Sequence, residues 1–357
     1  MTQHLTREPA WTLVRLGGLT FLALLSSMMF TPAVNADTTS LTTWHQEMSQ
    51  TPTPGAGCYT AAYPSLTWQS TTCVTPPSIP FTVGNGCCDS IGNAPSGGVL
   101  GNVEGYVSSE SGYSSEKSTG GSGVPSSCND ASNCYSIQVN TNMWSNSSST
   151  CSSTSGVVCY WEQFIFDYNY PTSGEGQILM QFWILYGGAL CSSYPYSATY
   201  WPNGWQGSSG ACFINSAAVT VPNADTPQYL YDYSLDGNTI ENTIGGNPAD
   251  SMVFCDSVNC YSTGVPDALL GLQSNWEHVE WNVFGLCCSA QAQFSGTGTS
   301  GTDLHNEVKE WNGNGNAFST TTSSGSYTSE TNNLNDYSTV SGYSGYYTFS
   351  ECQTTPC

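Results

Sequence analysis

Short runs rich in aromatic and β-branched residues recur along the chain, separated by stretches of Ser, Gly, Asn and Pro. Such runs predict β-strands, and the polar stretches between them predict turns. Helical periodicity is confined to residues 267–272 and 304–311, where we predict short helices. Many short strands with so little helix favour an all-β fold, an antiparallel two-sheet sandwich or jelly roll, over alternating βαβ units. The predicted strands are residues 136–144, 160–168, 177–187, 216–222, 229–235, 278–285, 290–296 and 346–351.

The first 36 residues have the pattern of a secretory signal peptide. Arg7 and Arg15 precede an apolar run over residues 19–30, and small residues lead up to Ala36. A basic start, a short apolar stretch and a small-residue end are the three parts of such a signal. The run is shorter than the roughly 20 residues that span a bilayer. We therefore predict a signal peptide at 1–36 and a secreted, extracellular chain that is not associated with a membrane after cleavage.

The remainder divides by composition into two parts. Residues 37–96 are rich in Thr and Pro, with TPTPGAG and TPPSIP, and predict an irregular N-terminal extension. Residues 97–357 carry the predicted strands listed above and form the predicted β-sandwich domain. The sequence leaves open whether residues 37–80 are a removable prosegment.

The cysteines predict a disulfide-stapled domain. All 16 follow Ala36, which suits an oxidising compartment. The absence of any CxxC and the few His argue against a metal site, and we predict no metal and no other cofactor. The vicinal pairs Cys87–Cys88 and Cys287–Cys288 are predicted to join each other. The other predicted bridges are local: Cys58–Cys73, Cys128–Cys134, Cys151–Cys159, Cys191–Cys212, Cys255–Cys260 and Cys352–Cys357.

The charge balance narrows the classes of partner. The chain has 26 acidic and 4 basic residues, a net charge of −22, and signal removal leaves only Lys117 and Lys309 as Lys or Arg. Nucleic acids and anionic membranes bind clustered bases and are excluded as partners. At about pH 3 most exposed carboxyls are neutral, so a chain with few bases accumulates little positive charge. The composition fits a protein that tolerates acid, or simply an acidic exoprotein.

Two predicted strands carry a polar residue within an apolar run. Gln181 interrupts QILMQFWILYG, on the face shared with Leu179 and Trp183, and Glu280 lies in HVEWNVFG on the face of Asn282. A carboxyl beside an aromatic wall has a raised pKa that suits acid–base work, and an amide can bind a developing oxyanion. The alternative is that both residues lie on a solvated sheet face. Neither GxSxG nor HExxH is present.

These two strands resemble the paired motifs of the glutamic peptidases, the eqolisin family. Residues 178–183, ILMQFW, are similar to the family's I-L-Q-T-G, and residues 279–284, VEWNVF, to its A-E-W-I-V-E. A strand with Trp161 precedes the first motif, TYWPNGW (199–205) follows it, and AQAQF (290–294) follows the second. The resemblance covers roughly residues 97–300. Phe182–Trp183 replaces the family's Thr-Gly, and Phe284 replaces its second Glu.

The resemblance implies a secreted acid endopeptidase on a concanavalin-like β-sandwich. Glu280 would be the general base and then the acid, and Gln181 would hold the attacking water and stabilise the oxyanion. Trp161 and Trp201 would line the substrate cleft. A polypeptide is the implied substrate, and the implied chemistry uses no cofactor.

Two other functions are compatible with the sequence. A lectin-like or structural exoprotein would bind glycans through exposed aromatics, of which residues 194–205 offer several. A glycoside hydrolase would need two facing carboxyls, about 5–5.5 Å apart if retaining and about 6.5–9.5 Å if inverting. Its candidates are Glu162, Glu175 and Glu280.

Overall fold

The structure is a computed structural model, and its main body is a disulfide-containing, almost wholly antiparallel β fold. It describes residues 41–81, 92–93, 99–107, 115–119, 123–128, 134–144, 159–185, 188–208, 210–222, 233–244, 247–256, 258–266, 278–287, 290–295, 303–312, 335–337 and 346–352.

One α-helix, two short 3₁₀ helices and nineteen strands make up the described elements. The helix α1 is Leu41–Gln50, and the 3₁₀ turns are Ser126–Cys128 and Gly188–Ser193. The strands are β1 (Gly57–Ala62), β2 (Gln69–Ser70), β3 (Gly92–Asn93), β4 (Val99–Val107), β5 (Ser115–Thr119), β6 (Tyr135–Trp144), β7 (Cys159–Tyr168), β8 (Gly176–Leu185), β9 (Gln206–Ser208), β10 (Ala211–Asn215), β11 (Val219–Val221), β12 (Tyr233–Ile244), β13 (Asn247–Asp256), β14 (Asn259–Val265), β15 (His278–Phe284), β16 (Gln291–Ser295), β17 (Asp303–Asn312), β18 (Asn335–Tyr337) and β19 (Tyr346–Cys352).

Two large antiparallel sheets contain most of these strands. The first sheet has nine strands in the order β18-β19-β17-β4-β12-β13-β14-β1-β2. The second has eight described strands: β3-β15-β6-β7-β8-β10-β9 in order, with β11 also paired to β8. A separate pair joins β16 to β5.

The main core lies between the two large sheets. Alternate residues of β7 and β8, among them Phe166 and Met180, pack against Phe254 and Leu235 of the first sheet. The rings of Phe166 and Phe254 stack with centroids 4.2 Å apart and an interplanar angle of 2°. Close approach requires a glycine at Gly237, because a side chain there would overlap the ring of Phe164. The structure is thus a sandwich-like all-β fold.

The N-terminal segment contributes to both sheets, although residues 37–96 were predicted to be an irregular extension. The α1 helix packs Trp44 and Met48 on the outer side of the first sheet, near Val253. The β1 strand pairs with β14 along its whole length, from Gly57↔Gly264 to Ala62↔Asn259. The segment after β2 crosses to the second sheet, where Val74 bridges Ala218 and Phe81 bridges Cys287.

Several strand predictions are confirmed, and one helix prediction is wrong. The predicted strands at 136–144, 160–168, 177–187 and 278–285 correspond to β6, β7, β8 and β15. Residues 304–311 form part of β17, where backbone pairing with β4 on one side and β19 on the other outweighs the weak helical pattern. The predicted helix at 267–272 lies outside the described residues.

Four of the predicted local disulfides are present: Cys58–Cys73, Cys128–Cys134, Cys191–Cys212 and Cys255–Cys260. The predicted Cys151–Cys159 and Cys352–Cys357 bridges and the joined vicinal pairs involve residues outside the described ranges. Among the described helices, none is long and apolar enough to cross a bilayer.

Candidate functional site

The outer face of the second sheet, which points away from the main core, carries a line of polar residues across five strands. In the antiparallel register Glu280 of β15 pairs with Asn140 of β6, Asn140 with Gln163 of β7, Gln163 with Gln181 of β8, and Gln181 with Asn215 of β10. Register partners share one face of a sheet. We call these five residues the amide row.

The register therefore places both predicted catalytic residues in one row. Gln181 and Glu280 have two strands between them, so at about 4.8 Å per strand their Cα atoms lie roughly 14 Å apart. For Glu280 the structure describes the backbone position on β15 and not the side chain. The two residues share a face and a row, but they are not neighbours.

The carboxamide of Gln181 is fully buried and its hydrogen-bonding capacity is filled. Its Nε2 donates to Ile79 O at 3.0 Å and to Asn215 Oδ1 at 2.6 Å. Its Oε1 accepts from the backbone N–H of Phe81 at 2.9 Å and from Trp183 Nε1 at 2.7 Å. A primary amide has two donor hydrogens and two acceptor lone pairs, so no capacity is left for a water. The burial also shows that Gln181 does not lie on a solvated face.

Two of the four partners of Gln181 are main-chain groups of one segment, residues 77–81. Asn215 Nδ2 donates to Pro77 O at 2.8 Å and to Ile79 O at 3.5 Å. The bound groups belong to every second residue, Pro77, Ile79 and Phe81, although the chain bends at Ser78 and Ile79. The pair Gln181–Asn215 therefore holds this segment by its backbone.

The middle of the amide row is tied into the same network. Gln163 Nε2 donates to Gln138 Oε1, and Gln163 Oε1 accepts from Trp183 Nε1, each at 2.7 Å. Gln138 Nε2 in turn donates to Ser136 Oγ at 2.7 Å. Asn140 differs from these bonded carboxamides. It is fully buried, and neither its Nδ2 nor its Oδ1 has a hydrogen-bond partner. The sequence analysis did not single out Asn140.

The two predicted cleft tryptophans lie on opposite sides of the sheet. Trp161 is on the outer face, buried beside Trp183 and Phe213 one row away from the amide row. Its indole Nε1 has no hydrogen-bond partner. Trp201 is fully buried in the main core, edge-on to Phe182 with centroids 4.9 Å apart. Trp161 thus borders the candidate site, and Trp201 does not.

Phe182, which replaces a small residue of the resembled motif, points into the main core beside Trp201 and so does not lie on the outer face. Trp183 lies on the outer face, where its N–H joins Gln163 to Gln181.

Buried carboxyls flank the site on both faces of the sheet. Desolvation raises the pKa of Glu162 well above its ordinary value, and the nearby charge of Asp250 raises it further. Glu162 faces the main core from β7, and Asp250 faces it from β13 of the first sheet. Desolvation likewise raises the pKa of Asp167 on the outer face, against a smaller lowering by the backbone N–H of Gln177.

Replacing Gln181 by Leu is expected to loosen the 77–81 segment and lower the free energy of unfolding by several kcal/mol. The change orphans the Phe81 N–H and Asn215 Oδ1, and each buried orphan costs about 1–3 kcal/mol. Hydrogen exchange of the Phe81 amide should accelerate, while that of Val74, which donates to Ala218 O, should change less.

The matched control is Gln177→Leu on the same strand and face, where the side-chain carbonyl has no partner to lose. Equal destabilisation by the two variants, with the Phe81 amide still protected, would contradict the anchoring role of Gln181.

The fold and site define the class of protein: a disulfide-stapled, sandwich-like all-β protein with a buried carboxamide network on one outer sheet face. Comparisons with known protein families, with curated proteins and with solved structures found no match. In the parts of the chain that the structure describes, no group of three or more His, Cys, Asp or Glu side chains is placed to hold a metal ion.

Proposed function

We propose that this chain is a secreted endopeptidase of glutamic type that cleaves polypeptides in acid, on a concanavalin-like sandwich. Glu280 is its general base and acid, and the scissile peptide bond of the substrate lies at the Glu280 end of the amide row. The observation that carries the proposal is the row itself, which has Glu280 at one end and, at the other, the pair Gln181–Asn215 bound to the main chain of residues 77–81.

The substrate class follows from what the carboxamides bind. Gln181 and Asn215 contact the carbonyls of Pro77 and Ile79 and the N–H of Phe81, all of them backbone groups. Recognition through the backbone is indifferent to side-chain identity. A polypeptide of varied sequence therefore suits this face of the sheet.

The chemistry needs one carboxylate and one water. Glu280 removes a proton from water as the water oxygen bonds to the peptide carbonyl carbon, and the carbonyl π electrons move to oxygen. The tetrahedral intermediate then collapses, the C–N bond breaks, and protonated Glu280 gives its proton to the leaving amine. The role predicted for Gln181, holding the water, would require its carboxamide to release Ile79 and Phe81, so in this proposal Gln181 binds main chain.

Work in acid also suits the interior of the fold. Glu162 and Asp167 are fully buried, and their raised pKa values favour the neutral carboxyl form. A buried neutral carboxyl does not oppose folding in acid, whereas a buried carboxylate does at higher pH. The native state is thus favoured in the same pH range as the proposed reaction.

The described residues give the other two functions less support. Glu162 faces the main core and Glu280 is placed on the outer face, so these two cannot form the facing pair of a glycosidase. Tyr196 is the one exposed aromatic among the described side chains, where a glycan-stacking platform would need several. We therefore propose the peptidase function alone.

The test is digestion of an unfolded protein substrate by the purified, oxidised chain lacking residues 1–36, from pH 2 to 7. Cleavage is expected in acid and not at pH 7, with new N-termini at internal peptide bonds. A polysaccharide substrate and a chain with its disulfides reduced serve as controls. A folded chain that cleaves protein at no pH would rule the proposal out.

A further inference from the structure

Asn140 is the residue of the amide row that lies directly beside Glu280. The two are register partners on the adjacent strands β6 and β15. Side chains so paired have Cβ atoms about 4.5–5.5 Å apart, against the roughly 14 Å that separates the Cα atoms of Glu280 and Gln181. Asn140 is therefore the carboxamide of the row whose strand position is nearest to that of Glu280.

The carboxamide of Asn140 is buried with neither of its polar atoms satisfied. Asn140 is 0% exposed, and both Nδ2 and Oδ1 lack a hydrogen-bond partner. The other carboxamides of the row, Gln163, Gln181 and Asn215, are all bonded. An orphaned buried amide costs about 1–3 kcal/mol, and Asn140 differs in this from the carboxamides beside it, so its carboxamide has hydrogen-bonding capacity that a bound group can fill.

A second orphaned donor lies next to it. Trp161 is 3% exposed, and its Nε1 has no partner, although the equivalent atom of Trp183 donates to both Gln163 and Gln181. Gln163 is the register partner of Asn140, and Trp161 is two residues before it on β7. Asn140 and Trp161 are thus diagonal neighbours on one face, roughly 7–8 Å apart.

We propose that Asn140 Nδ2 and Trp161 Nε1 are the oxyanion-binding donors of the site, acting opposite Glu280. This assignment rests on the proposed peptidase function and extends it, because it moves the stabilising amide from Gln181 to Asn140. When the water bonds to the carbonyl carbon, the negative charge that gathers on the carbonyl oxygen is met by these two N–H groups. The charge returns to the carbonyl as the C–N bond breaks and Glu280 protonates the amine.

The experiment compares the wild-type chain with Asn140→Leu, Trp161→Phe and Gln138→Leu. Loss of one oxyanion donor lowers kcat by about 10²–10³, so Asn140→Leu and Trp161→Phe are expected to reduce kcat on that scale with KM little changed. Asn140→Leu should not lower Tm, because it replaces an orphaned polar group by an apolar one of similar shape. Trp161→Phe also leaves a cavity beside Trp183, so its kcat is measured at a temperature at which the variant is fully folded. Gln138→Leu removes a bonded carboxamide from the same strand and face, and is expected to lower Tm while the folded enzyme keeps its kcat.

The outcomes separate this inference from the function on which it rests. If the folded wild-type chain shows no activity, both the proposed peptidase function and the oxyanion assignment are contradicted. An active wild type with Asn140→Leu within threefold of its kcat overturns the assignment and leaves the peptidase standing. A drop in Tm for Asn140→Leu as large as that for Gln138→Leu shows that the carboxamide supports the fold, and also overturns it. Lost kcat with Tm held or raised is the result that supports it.

Discussion

Glu280→Gln is expected to lower kcat/KM for acid proteolysis by about 10²–10⁴, the range that a positioned general acid or base contributes. Glutamine keeps the size and shape of the side chain but cannot take a proton from water at any pH. The loss should therefore persist across the whole acid range and should not be recovered by raising the pH. The measurement is kcat/KM on a fluorogenic peptide between pH 2 and 7, with urea unfolding to establish that the variant folds.

The matched control for this prediction is Glu175→Gln, at the turn that precedes β8 and outside the amide row. It removes one carboxyl from the same domain and is expected to leave kcat/KM unchanged. If Glu280→Gln retained its activity, the catalytic carboxyl would have to lie outside the amide row. Equal losses in both variants would indicate an effect of net charge on the whole chain.

Glu162→Gln is expected to stabilise the protein at pH 7 and to leave its stability unchanged at pH 3. The wild-type carboxyl is fully buried between the sheets, has no hydrogen-bond partner, and lies near the charge of Asp250. Its folded-state pKa is raised well above the ordinary value of 4.5. Below pH 4.5 the folded and unfolded states both carry the proton. Glutamine then resembles the neutral acid that it replaces.

The sign of the effect follows from which state keeps the proton. Above pH 4.5 the unfolded chain ionises while the folded chain stays protonated, so stability falls as pH rises toward the raised folded pKa. The slope is about 1.4 kcal/mol per pH unit for each such group. Because Glu162→Gln removes one such group, the fall in the free energy of unfolding with rising pH should become shallower by that amount. Urea unfolding at unit steps from pH 3 to pH 7 measures it.

A double-mutant cycle with Asp250→Asn tests whether the two carboxyls act together. Because each raises the cost of ionising the other, the two single gains at pH 7 should add to more than the double variant shows. The exposed Glu47→Gln on α1 is the control and is expected to leave the slope as it was. A wild type that gains stability steadily from pH 3 to pH 7 would contradict the prediction.

The sequence predicts local features of the fold well, because they depend on neighbouring residues. The runs that form β6, β7, β8 and β15 are aromatic and β-branched, and the Cys128–Cys134 and Cys255–Cys260 bridges join cysteines only 6 and 5 positions apart. Period-2 alternation also placed Gln181 with Leu179 and Trp183, as observed. Residues 304–311 were misread because Leu304, Val308 and Trp311 fit a helix, while the pairing of β17 with β4 and β19 is nonlocal.

The site was predictable only in part, for the same reason. Gln181 and Glu280 stood out because each interrupts an apolar run. Their common row depends on the register of β6 and β7 between them, which no local pattern specifies. Asn140 gave only a weak signal: it belongs to the alternating polar positions Ser136, Gln138 and Asn140, which equally describe a solvated strand. The anchoring of residues 77–81 joins groups about 100 positions apart.

The pairing of β1 with β14 sets an order of events for a chain synthesised from its N-terminus. Gly57 is made long before its partner Gly264, so β1 has no edge to join while the intervening strands are synthesised. Contacts of such long range form late and slowly. The Cys58–Cys73 loop can close early, yet β1 and the segment after it must wait for the second half of the chain. The part of the domain that is made first is therefore the part that docks last.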